Sequence, residues 1–336
     1  MVAKLETLNF VKKVIVLGGA GFIGSHLCDF LLKKKFKVSV IDNLSTGRLS
    51  NLKHIKKRVK FIKADISKNG KWQNEFKNAR YVFHLAALAD IVPSIENPQK
   101  YFESNVTGTL NILEAVKKFK IKKIIYAASS SCYGVPKKYP TKENQKIDTR
   151  YPYALTKYIA EEMIINWSKI YNLKYISLRL FNVYGTRSRT SGTYGAMFGV
   201  FLTQKLNKLP FTVVGSGKQK RDFTYVTDVT KAFYLSAVSK IENEIFNVGS
   251  GNTISVNKIV SLLKGPRVKI PKRPGEPDIT FASIKKIRKK LKWKPKIKIE
   301  QGIKFLLNEI NYWKNAPIWT PKNIKLATRI WFKYLK

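Results

Sequence analysis

A short apolar run leads directly into a glycine-rich loop near the start of the chain. Residues 14–17 predict a buried β-strand, and Gly18, Gly21 and Gly24 follow it where a helix over residues 23–33 is predicted to begin. Without side chains at these positions the backbone turns tightly, and free amides at the positive end of the helix can approach a pyrophosphate. A strand, this loop and a helix in that order predict a dinucleotide-binding βαβ unit.

The alternation of strands and helices continues beyond this unit. Further apolar runs of strand length occur at residues 38–41, 59–62, 81–85, 124–127 and 175–180, and helical periodicity occurs at residues 101–119 and 153–171. Right-handed crossovers between such strands give an α/β fold, a Rossmann-type doubly wound parallel sheet. A strand-like run at residues 244–248 is expected to return to this sheet.

The composition of the chain changes after residue 181, where loops rich in Gly, Ser, Thr and Arg begin. We therefore expect an NAD-binding domain over residues 1–181, rejoined by about residues 221–250, and a smaller, discontinuous substrate-binding lobe over most of residues 182–336. No run of about 18 apolar residues and no signal-like N-terminus is present. Cys28 and Cys132 lack disulfide or zinc-site spacing, so a soluble cytoplasmic protein is expected.

The chain is strongly basic, with 64 Lys and Arg against 21 Asp and Glu and a net charge of +43. Most of these cations are scattered along every predicted helix and turn, which favours a solvated surface over a polynucleotide-binding face. The basic stretch at residues 285–298 is the local exception, and it keeps polynucleotide binding open as an alternative. No membrane partner and no specific nucleic acid are expected.

Acidic residues close two of the predicted strands. Asp42 lies eighteen residues beyond Gly24 at the end of the second strand, where a carboxylate can accept hydrogen bonds from both hydroxyls of the adenosine ribose. It would repel a 2′-phosphate, so NAD is favoured over NADP. Asp65 closes the third strand and is placed to meet the adenine. His84 and Cys28 are interpreted as packing residues.

Serine, tyrosine and lysine residues suited to proton transfer follow the fifth strand. Residues 129–131 are serines, and Tyr153 and Lys157, four apart, share one face of a predicted helix. A free phenol has a pKa of about 10, and a neighbouring ammonium and the nicotinamide cation would lower it. Tyr153 could then remove a hydroxyl proton while hydride leaves the same carbon for NAD.

Together these segments resemble the extended short-chain dehydrogenase/reductase family, in particular its nucleotide-sugar 4-epimerase branch, to which UDP-glucose 4-epimerase belongs. The segments that carry the resemblance are residues 18–24, 42–47, Asn105 with 108–109, 129–134, 153–157, 179–185, 221–223 and 273–277. The resemblance implies NAD-dependent epimerisation at C4 of a UDP-linked hexose or N-acetylhexosamine through a transient 4-keto intermediate. It also implies a homodimer paired through the helices at residues 101–119 and 153–171.

The resemblance further implies a set of site residues and no metal. The catalytic residues would be Ser129, Ser131, Tyr153 and Lys157. The cofactor contacts would be Gly18, Gly21, Phe22, Ile23, Gly24, Asp42, Asn43, Ser45, Thr46, Gly47, Asp65, Ile66, Leu85, Ala86, Ala87, Asn105, Tyr153 and Lys157. The substrate contacts would be Ser129, Ser131, Tyr153, Asn182, Ala196, Met197, Arg221, Arg273, Glu276 and Thr280, with the arginines on the diphosphate and Glu276 on the uridine ribose.

Other functions on the same fold stay open. Related 4,6-dehydratases carry an Asp-Glu pair after the catalytic serine or threonine, and related UDP-glucuronate decarboxylases carry a glutamate, where this chain has Cys132 and Tyr133. Simple epimerisation is therefore favoured over 4,6-dehydration or the epimerase/decarboxylase reaction on UDP-glucuronate. An NAD-sensing regulator is disfavoured because Tyr153 and Lys157 are retained. Ala89 departs from the hexose-specific pattern, and both hexoses and N-acetylhexosamines stay open.

Overall fold

The computed structural model describes residues 12–188 and 197–335. Its strands are β1 Lys13–Leu17, β2 Lys37–Asp42, β3 Val59–Lys63, β4 Ala79–His84, β5 Lys123–Ser129, β6 Tyr175–Leu180, β7 Asn182–Tyr184, β8 Phe211–Val214, β9 Lys220–Arg221, β10 Phe223–Tyr225, β11 Glu244–Val248, β12 Ile254–Ser255 and β13 Arg267–Ile270. Its α-helices are α1 Phe22–Lys33, α2 Ile91–Glu96, α3 Pro98–Phe102, α4 Gly108–Lys118, α5 Pro152–Tyr171, α6 Met197–Leu206, α7 Val226–Val238, α8 Val256–Leu263, α9 Lys285–Leu291, α10 Ile299–Asn308, α11 Pro321–Ala327 and α12 Arg329–Tyr334. Short 3₁₀ segments occur at Leu49–Arg58, Lys71–Phe76, Ser130–Tyr133 and Ile310–Trp313.

Seven parallel strands form the central sheet, in the order β11-β6-β5-β4-β1-β2-β3. This order confirms the predicted Rossmann-type doubly wound fold, in which the strand order reverses beside β1. The reversal leaves a crevice at the carboxyl ends of β1 and β4, where Leu17 is in register with His84. Strand β11 pairs with β6, which confirms the predicted return of residues 244–248 to the sheet.

Each face of the sheet is covered by its own apolar cluster. Val14 and Val16 face α1 and α7, whereas Ile15 and Leu17 face the opposite layer that contains α4 and α5. All four side chains are fully buried, as expected for parallel strands covered on both sides. Burial of such a side chain stabilises the fold by roughly 1.5–3 kcal/mol. The rigid sheet therefore fixes the loops at its carboxyl edge.

The second part of the chain forms a smaller apolar cluster of its own. Short two-stranded sheets pair β7 with β10, β9 with β12 and β8 with β13. Their buried side chains pack with α6, α8 and α10, around residues such as Phe201, Phe211 and Trp313. Within the described ranges, no helix has the length and hydropathy needed to cross a membrane.

The helix predicted over residues 101–119 is interrupted. Helix α3 passes into a single π-helical turn, Glu103–Thr107, and α4 follows it directly. The wider turn places Asn105 inside the fold, where it is almost fully buried. Gly108 follows because Ile66 lies so close that a Cβ there would approach its Cδ1 to 2.8 Å.

Candidate active site

The glycine loop forms one end of a cavity of about 330 Å³ at the carboxyl edge of the sheet. Gly21 caps α1 in an extended conformation, so the first turn of α1 directs its free amides to this space. A Cβ at Gly24 would lie 2.2 Å from the carbonyl oxygen of Gly18, and one at Gly18 would lie 2.7 Å from the nitrogen of Ala86. The loop therefore accepts no side chain at either position, which suits a pyrophosphate.

Most of the residues predicted to contact the cofactor lie along this cavity. The predicted residues that line it are Gly18, Gly21, Phe22, Ile23, Gly24, Asp42, Asn43, Ser45, Thr46, Ile66, Leu85, Ala86 and Ala87. They come from the ends of four neighbouring strands and from the loops that follow them. We call this space the cofactor cavity, because its glycine loop, terminal carboxylate and apolar walls fit NAD.

Asp42 closes β2 at the wall of the cofactor cavity. Its carboxylate accepts hydrogen bonds from the backbone amides of Ala20, at 2.9 Å, and Leu44, at 2.8 Å. Burial raises the pKa of Asp42, and these two hydrogen bonds oppose that rise. The carboxylate is thus held in a fixed orientation toward the cavity, where it can accept further hydrogen bonds from ribose hydroxyls.

Five residues predicted as cofactor contacts do not line the cavity: Tyr153 and Lys157, described below, and Asp65, Gly47 and Asn105. The Asp65 carboxylate accepts hydrogen bonds from Ser67 and Asn43. Burial acts against its ionisation, but these hydrogen bonds and the Lys68 charge together lower its pKa. Gly47 leaves space for Asp42, since a Cβ there would be 2.9 Å from the Asp42 carboxylate. The Asn105 amide bonds the backbone nitrogen and oxygen of Leu88.

Two polar residues that the sequence did not single out, Asn51 and Tyr312, also line the cofactor cavity. The Asn51 amide donates to the carbonyl of Ala20 in the glycine loop at 2.9 Å. The Tyr312 hydroxyl donates to the Asn51 side chain at 2.9 Å across 261 positions of sequence. The C-terminal part of the chain therefore braces the cofactor loop, and no local sequence signal marks this contact.

The predicted catalytic side chains meet where β5 and α5 come together. The hydroxyls of Ser129 and Ser131 are 2.8 Å apart, and both hydrogen-bond with the half-buried Tyr153. Asp90 lines the cofactor cavity and acts on Tyr153 through its charge. Ala127, two residues before Ser129 on β5, lines the same cavity. The tyrosine and serines do not themselves line the cavity, but they lie near residues that do.

Lys157 lies one turn further along α5 and is buried. Its ammonium nitrogen is 4.1 Å from the centre of the Tyr126 ring. Burial lowers the pKa of Lys157 to about 7, although the Glu161 carboxylate opposes this. The lysine can therefore exchange its proton near neutral pH.

The pKa of Tyr153 corrects one of our expectations. We expected the lysine to lower it, but burial raises the pKa of Tyr153, with the Asp90 charge adding to the rise. The hydrogen bonds from Ser129 and Ser131 oppose this effect without reversing it. Desolvation outweighs the charges that the protein itself supplies, so any phenolate at Tyr153 needs a positive charge from the cofactor.

A buried ion pair links α5 to the loop that follows β5. Arg179 of β6 pairs with Glu161 of α5 at 2.5 Å, and Ser177 donates to the same carboxylate. The guanidinium also donates to the Tyr133 hydroxyl at 2.9 Å, and that hydroxyl donates to Asn247 of β11. This network ties α5, which carries the tyrosine and lysine, to the loop that carries the serines.

A second cavity of about 210 Å³ lies in the smaller lobe, where β7, β8, β9, β10, α6 and α8 supply most of its lining. The predicted substrate contacts Asn182, Met197, Arg221, Arg273 and Glu276 line it. It shares Val183 and Ser188 with the cofactor cavity, so the two spaces have a common wall. We call it the substrate cavity.

A carboxylate lies between two arginines in the substrate cavity. Glu276 forms an ion pair with Arg221 at 2.9 Å, and its second carboxylate oxygen lies 3.4 Å from Arg273. The Thr280 hydroxyl donates to the Asn182 side chain at 2.8 Å, which brings these two predicted contacts together. Two guanidinium groups this close together suit a diphosphate. The predicted contact Ala196 lies outside the described residues.

Two residues predicted to pack do so. His84 is buried, bonds the Thr109 hydroxyl at 2.9 Å and lies against Tyr126, and burial together with the Lys157 charge lowers its pKa. Cys28 of α1 is fully buried in the core. Both Cys28 and Cys132 are free thiols, and residues 12–188 and 197–335 hold no cluster of metal-ligating side chains.

Comparison with known proteins gives consistent matches over most of the chain. The model of the NAD dependent epimerase/dehydratase family matches residues 14–249. A putative UDP-glucose 4-epimerase of Methanocaldococcus jannaschii is 38% identical over 303 residues, covering 88% of this chain and 97% of the relative. NAD is therefore the cofactor of this chain.

Solved structures match equally broadly. A UDP-N-acetylglucosamine 4-epimerase from Methanobrevibacter ruminantium M1, in complex with UDP-N-acetylmuramic acid, superposes with a TM-score of 0.83 at 34% identity, covering 89% of this chain and 99% of that one. A UDP-glucuronic acid 4-epimerase from Bacillus cereus, in complex with UDP-glucuronic acid and NAD, gives a TM-score of 0.82 at 31% identity and covers 90% and 99%. The relatives thus differ in the sugar they are named for.

Proposed function

We propose that this chain, which belongs to the NAD dependent epimerase/dehydratase family, is an isomerase that epimerises C4 of a UDP-linked hexose or N-acetylhexosamine. The observation that carries the proposal is the common wall of two cavities. One cavity has a dinucleotide loop, and the other has paired arginines. A nucleotide sugar held by its diphosphate in the second would extend its sugar toward the first.

The reaction we propose moves one hydride and one proton. NAD, held beside the glycine loop, would supply the hydride acceptor for C4 and the hydride donor for the ketone that follows. Tyr153 takes the O4 proton as the hydride leaves and gives it back when the hydride returns. Ser129 and Ser131 hold O4 by hydrogen bonds, and Lys157 positions the nicotinamide ribose beside the tyrosine.

The positive charge of a bound nicotinamide would counteract the raised pKa of Tyr153. Burial keeps the phenol neutral in the protein alone, because its pKa is raised. The nearby cation would favour the phenolate only when the oxidised cofactor is in place. The base is then active only in the complex that can also accept hydride.

Dehydration and decarboxylation are less well supported by the residues beside the serines. Cys132 and Tyr133 are both buried, and burial raises the pKa of Cys132 to about 12. Tyr133 is held between Arg179 and Asn247 by hydrogen bonds. Neither group is placed to donate a proton to a leaving C6 hydroxyl, which favours simple epimerisation.

Three further properties belong to the same proposal. We infer a homodimer through α4 and α5, whose surfaces expose large apolar side chains at Leu110 and Leu155, with Phe102 beside them. We place the enzyme in the cytoplasm, because its two cysteines are free thiols. We assign residues 1–181, with about 221–250, to NAD binding, and most of residues 182–336 to the substrate.

The function is tested by incubating the purified protein with UDP-glucose, UDP-N-acetylglucosamine and UDP-glucuronic acid and resolving the products by NMR. We expect the C4 epimer of a hexose or N-acetylhexosamine, with no net change in NAD. A 4-keto-6-deoxy product would replace the epimerase with a dehydratase, and a pentose product would indicate decarboxylation. Absence of any product, together with retained NAD binding, would favour the NAD-sensing regulator.

A further inference from the structure

The last helix of the chain holds the loop that carries Arg273. Trp331 of α12 is 5% exposed, and its indole N–H donates to the carbonyl of Pro274 at 2.7 Å. The Arg273 guanidinium lies over the same indole ring, 5.3 Å from its centre. A Cβ built at Gly275 would lie 4.0 Å from Leu335. Trp331 of this helix thus contacts two consecutive residues of one loop, and Leu335, which follows the helix, lies close to the third.

These contacts fix the guanidinium of Arg273 from two directions. Its central carbon lies 5.3 Å from the centre of the indole ring, and the Glu276 carboxylate lies 3.4 Å from its Nε. Arginine side chains lose considerable rotamer entropy when a ligand orders them. A guanidinium that is already held by a ring and a carboxylate loses less on binding a phosphate, and this strengthens the complex.

The same segment reaches both parts of the molecule. Helix α12 packs against α2, which directly follows Ala89 and Asp90 in the wall of the cofactor cavity. Ile324 of α11 packs against Val214 and Ile270 in the smaller lobe. We call residues 321–335 the C-terminal clasp, since they join the arginine loop to a helix of the NAD-binding part.

We propose that the C-terminal clasp positions Arg273 for the diphosphate of the substrate, with Trp331 as the positioning residue. The inference rests on the proposed function, because it takes the substrate cavity to be the diphosphate site. The indole ring orients the guanidinium, and the indole N–H fixes the loop backbone beside it. The clasp therefore sets nucleotide affinity without touching the reacting carbon.

Substitution of Trp331 separates this role from a general structural one. Trp331→Leu removes both the ring and the N–H, whereas Trp331→Phe keeps a smaller aromatic face and loses the N–H. We expect Trp331→Leu to raise the KM for the UDP-sugar roughly tenfold, with kcat within about twofold of the wild type. Trp331→Phe should raise it by a smaller factor. Tyr334→Leu, at an exposed position of the same helix, is the matched control and should change neither constant.

A double-mutant cycle shows whether the effect passes through Arg273. Binding of UDP alone is measured by calorimetry on the NAD-loaded enzyme, for wild type, Trp331→Leu, Arg273→Ala and the double variant. We expect Trp331→Leu to weaken UDP binding about tenfold and to have little further effect once Arg273 is alanine. Equal bound NAD in all four proteins is the check that the NAD-binding part is intact.

The outcomes distinguish the clasp from the proposed function. Independent, multiplicative losses in the double variant would overturn the clasp, as would unchanged UDP binding in Trp331→Leu. A fall in kcat and NAD content together would mean that Trp331 only supports folding. A wild-type protein that binds no UDP would refute the diphosphate site itself. If UDP binding follows the expected cycle but no sugar is epimerised, the clasp stands and the epimerase proposal fails.

Discussion

Replacing Lys157 by methionine should make the protein more stable while removing its activity. Lys157 is 5% exposed, and burial lowers its pKa from 10.5 to about 7. Below pH 10.5 the Lys157 amine is therefore protonated more readily in the unfolded chain than in the folded protein, which lowers the free energy of unfolding. The two pKa values give a cost of about 5 kcal/mol at pH 6 and about 2 kcal/mol at pH 9. Methionine of similar length carries no charge and escapes this cost.

The sign of the pH dependence follows from the direction of the shift. Between pH 7 and pH 10.5 the unfolded chain binds a proton at this lysine that the folded protein does not. Wild-type stability therefore rises with pH across that window, and the penalty is fully present below pH 7. The advantage of Lys157→Met should shrink as the pH rises and vanish near pH 10.5.

The assay is urea unfolding of both proteins, stripped of NAD, at pH 6, 7.5 and 9. Lys169→Met, at an exposed position of the same helix, serves as the control, and its effect should stay within about 0.5 kcal/mol at every pH. The reasoning is refuted if Lys157→Met is less stable than the wild type at pH 6. It is equally refuted if the difference between the two proteins does not change with pH.

Three other substitutions test separate parts of the site. Tyr153→Phe should lower kcat at least about 100-fold, because it removes the hydroxyl to which we assign the transfer of the O4 proton, and NAD released on denaturation should be unchanged. Glu161→Gln should lower the free energy of unfolding by about 3–5 kcal/mol, measured in urea, because Arg179 is left buried without its carboxylate. Gly24→Ala should abolish NAD retention, measured by absorbance of the purified protein, because its Cβ would collide with Gly18.

Each of these substitutions has a nearby control. Tyr158→Phe on α5 should leave kcat close to that of the wild type, and Glu162→Gln, at an exposed position, should leave stability nearly unchanged. Gly70→Ala lies away from the cofactor cavity and should retain NAD. Rapid turnover by Tyr153→Phe would reject the assigned base. Unchanged stability of Glu161→Gln would mean that the ion pair contributes little, and NAD-loaded Gly24→Ala would reject the steric argument.

Local patterns in the sequence predicted the sheet well because its buried parallel strands are short segments rich in apolar residues. Strands β6 and β11 have the predicted bounds, Tyr175–Leu180 and Glu244–Val248. The glycine loop was equally visible, since its geometry excludes side chains. These features depend on residues that are close together in the chain.

Features that depend on distant contacts were not predictable in the same way. The π-helical turn at Glu103–Thr107 accompanies the bonds between Asn105 and Leu88, seventeen positions apart. The Tyr312 hydroxyl donates to Asn51, 261 positions away, and the Trp331 indole donates to Pro274, 57 positions away. The raised pKa of Tyr153 likewise follows from burial, which the spacing to Lys157 does not reveal. Such contacts leave no periodic pattern in the sequence from which they could be predicted.

The position of β11 has a consequence for how such a protein can be divided or recombined. The chain enters the smaller lobe at β7 and comes back to the sheet at β11, beside β6. A fragment that stops at residue 181 would leave β6 as an unpaired edge strand, open to pairing with other molecules. A chimera of two relatives therefore cannot be made by joining one protein's residues 1–181 to the rest of another without also replacing the strand that pairs with β6.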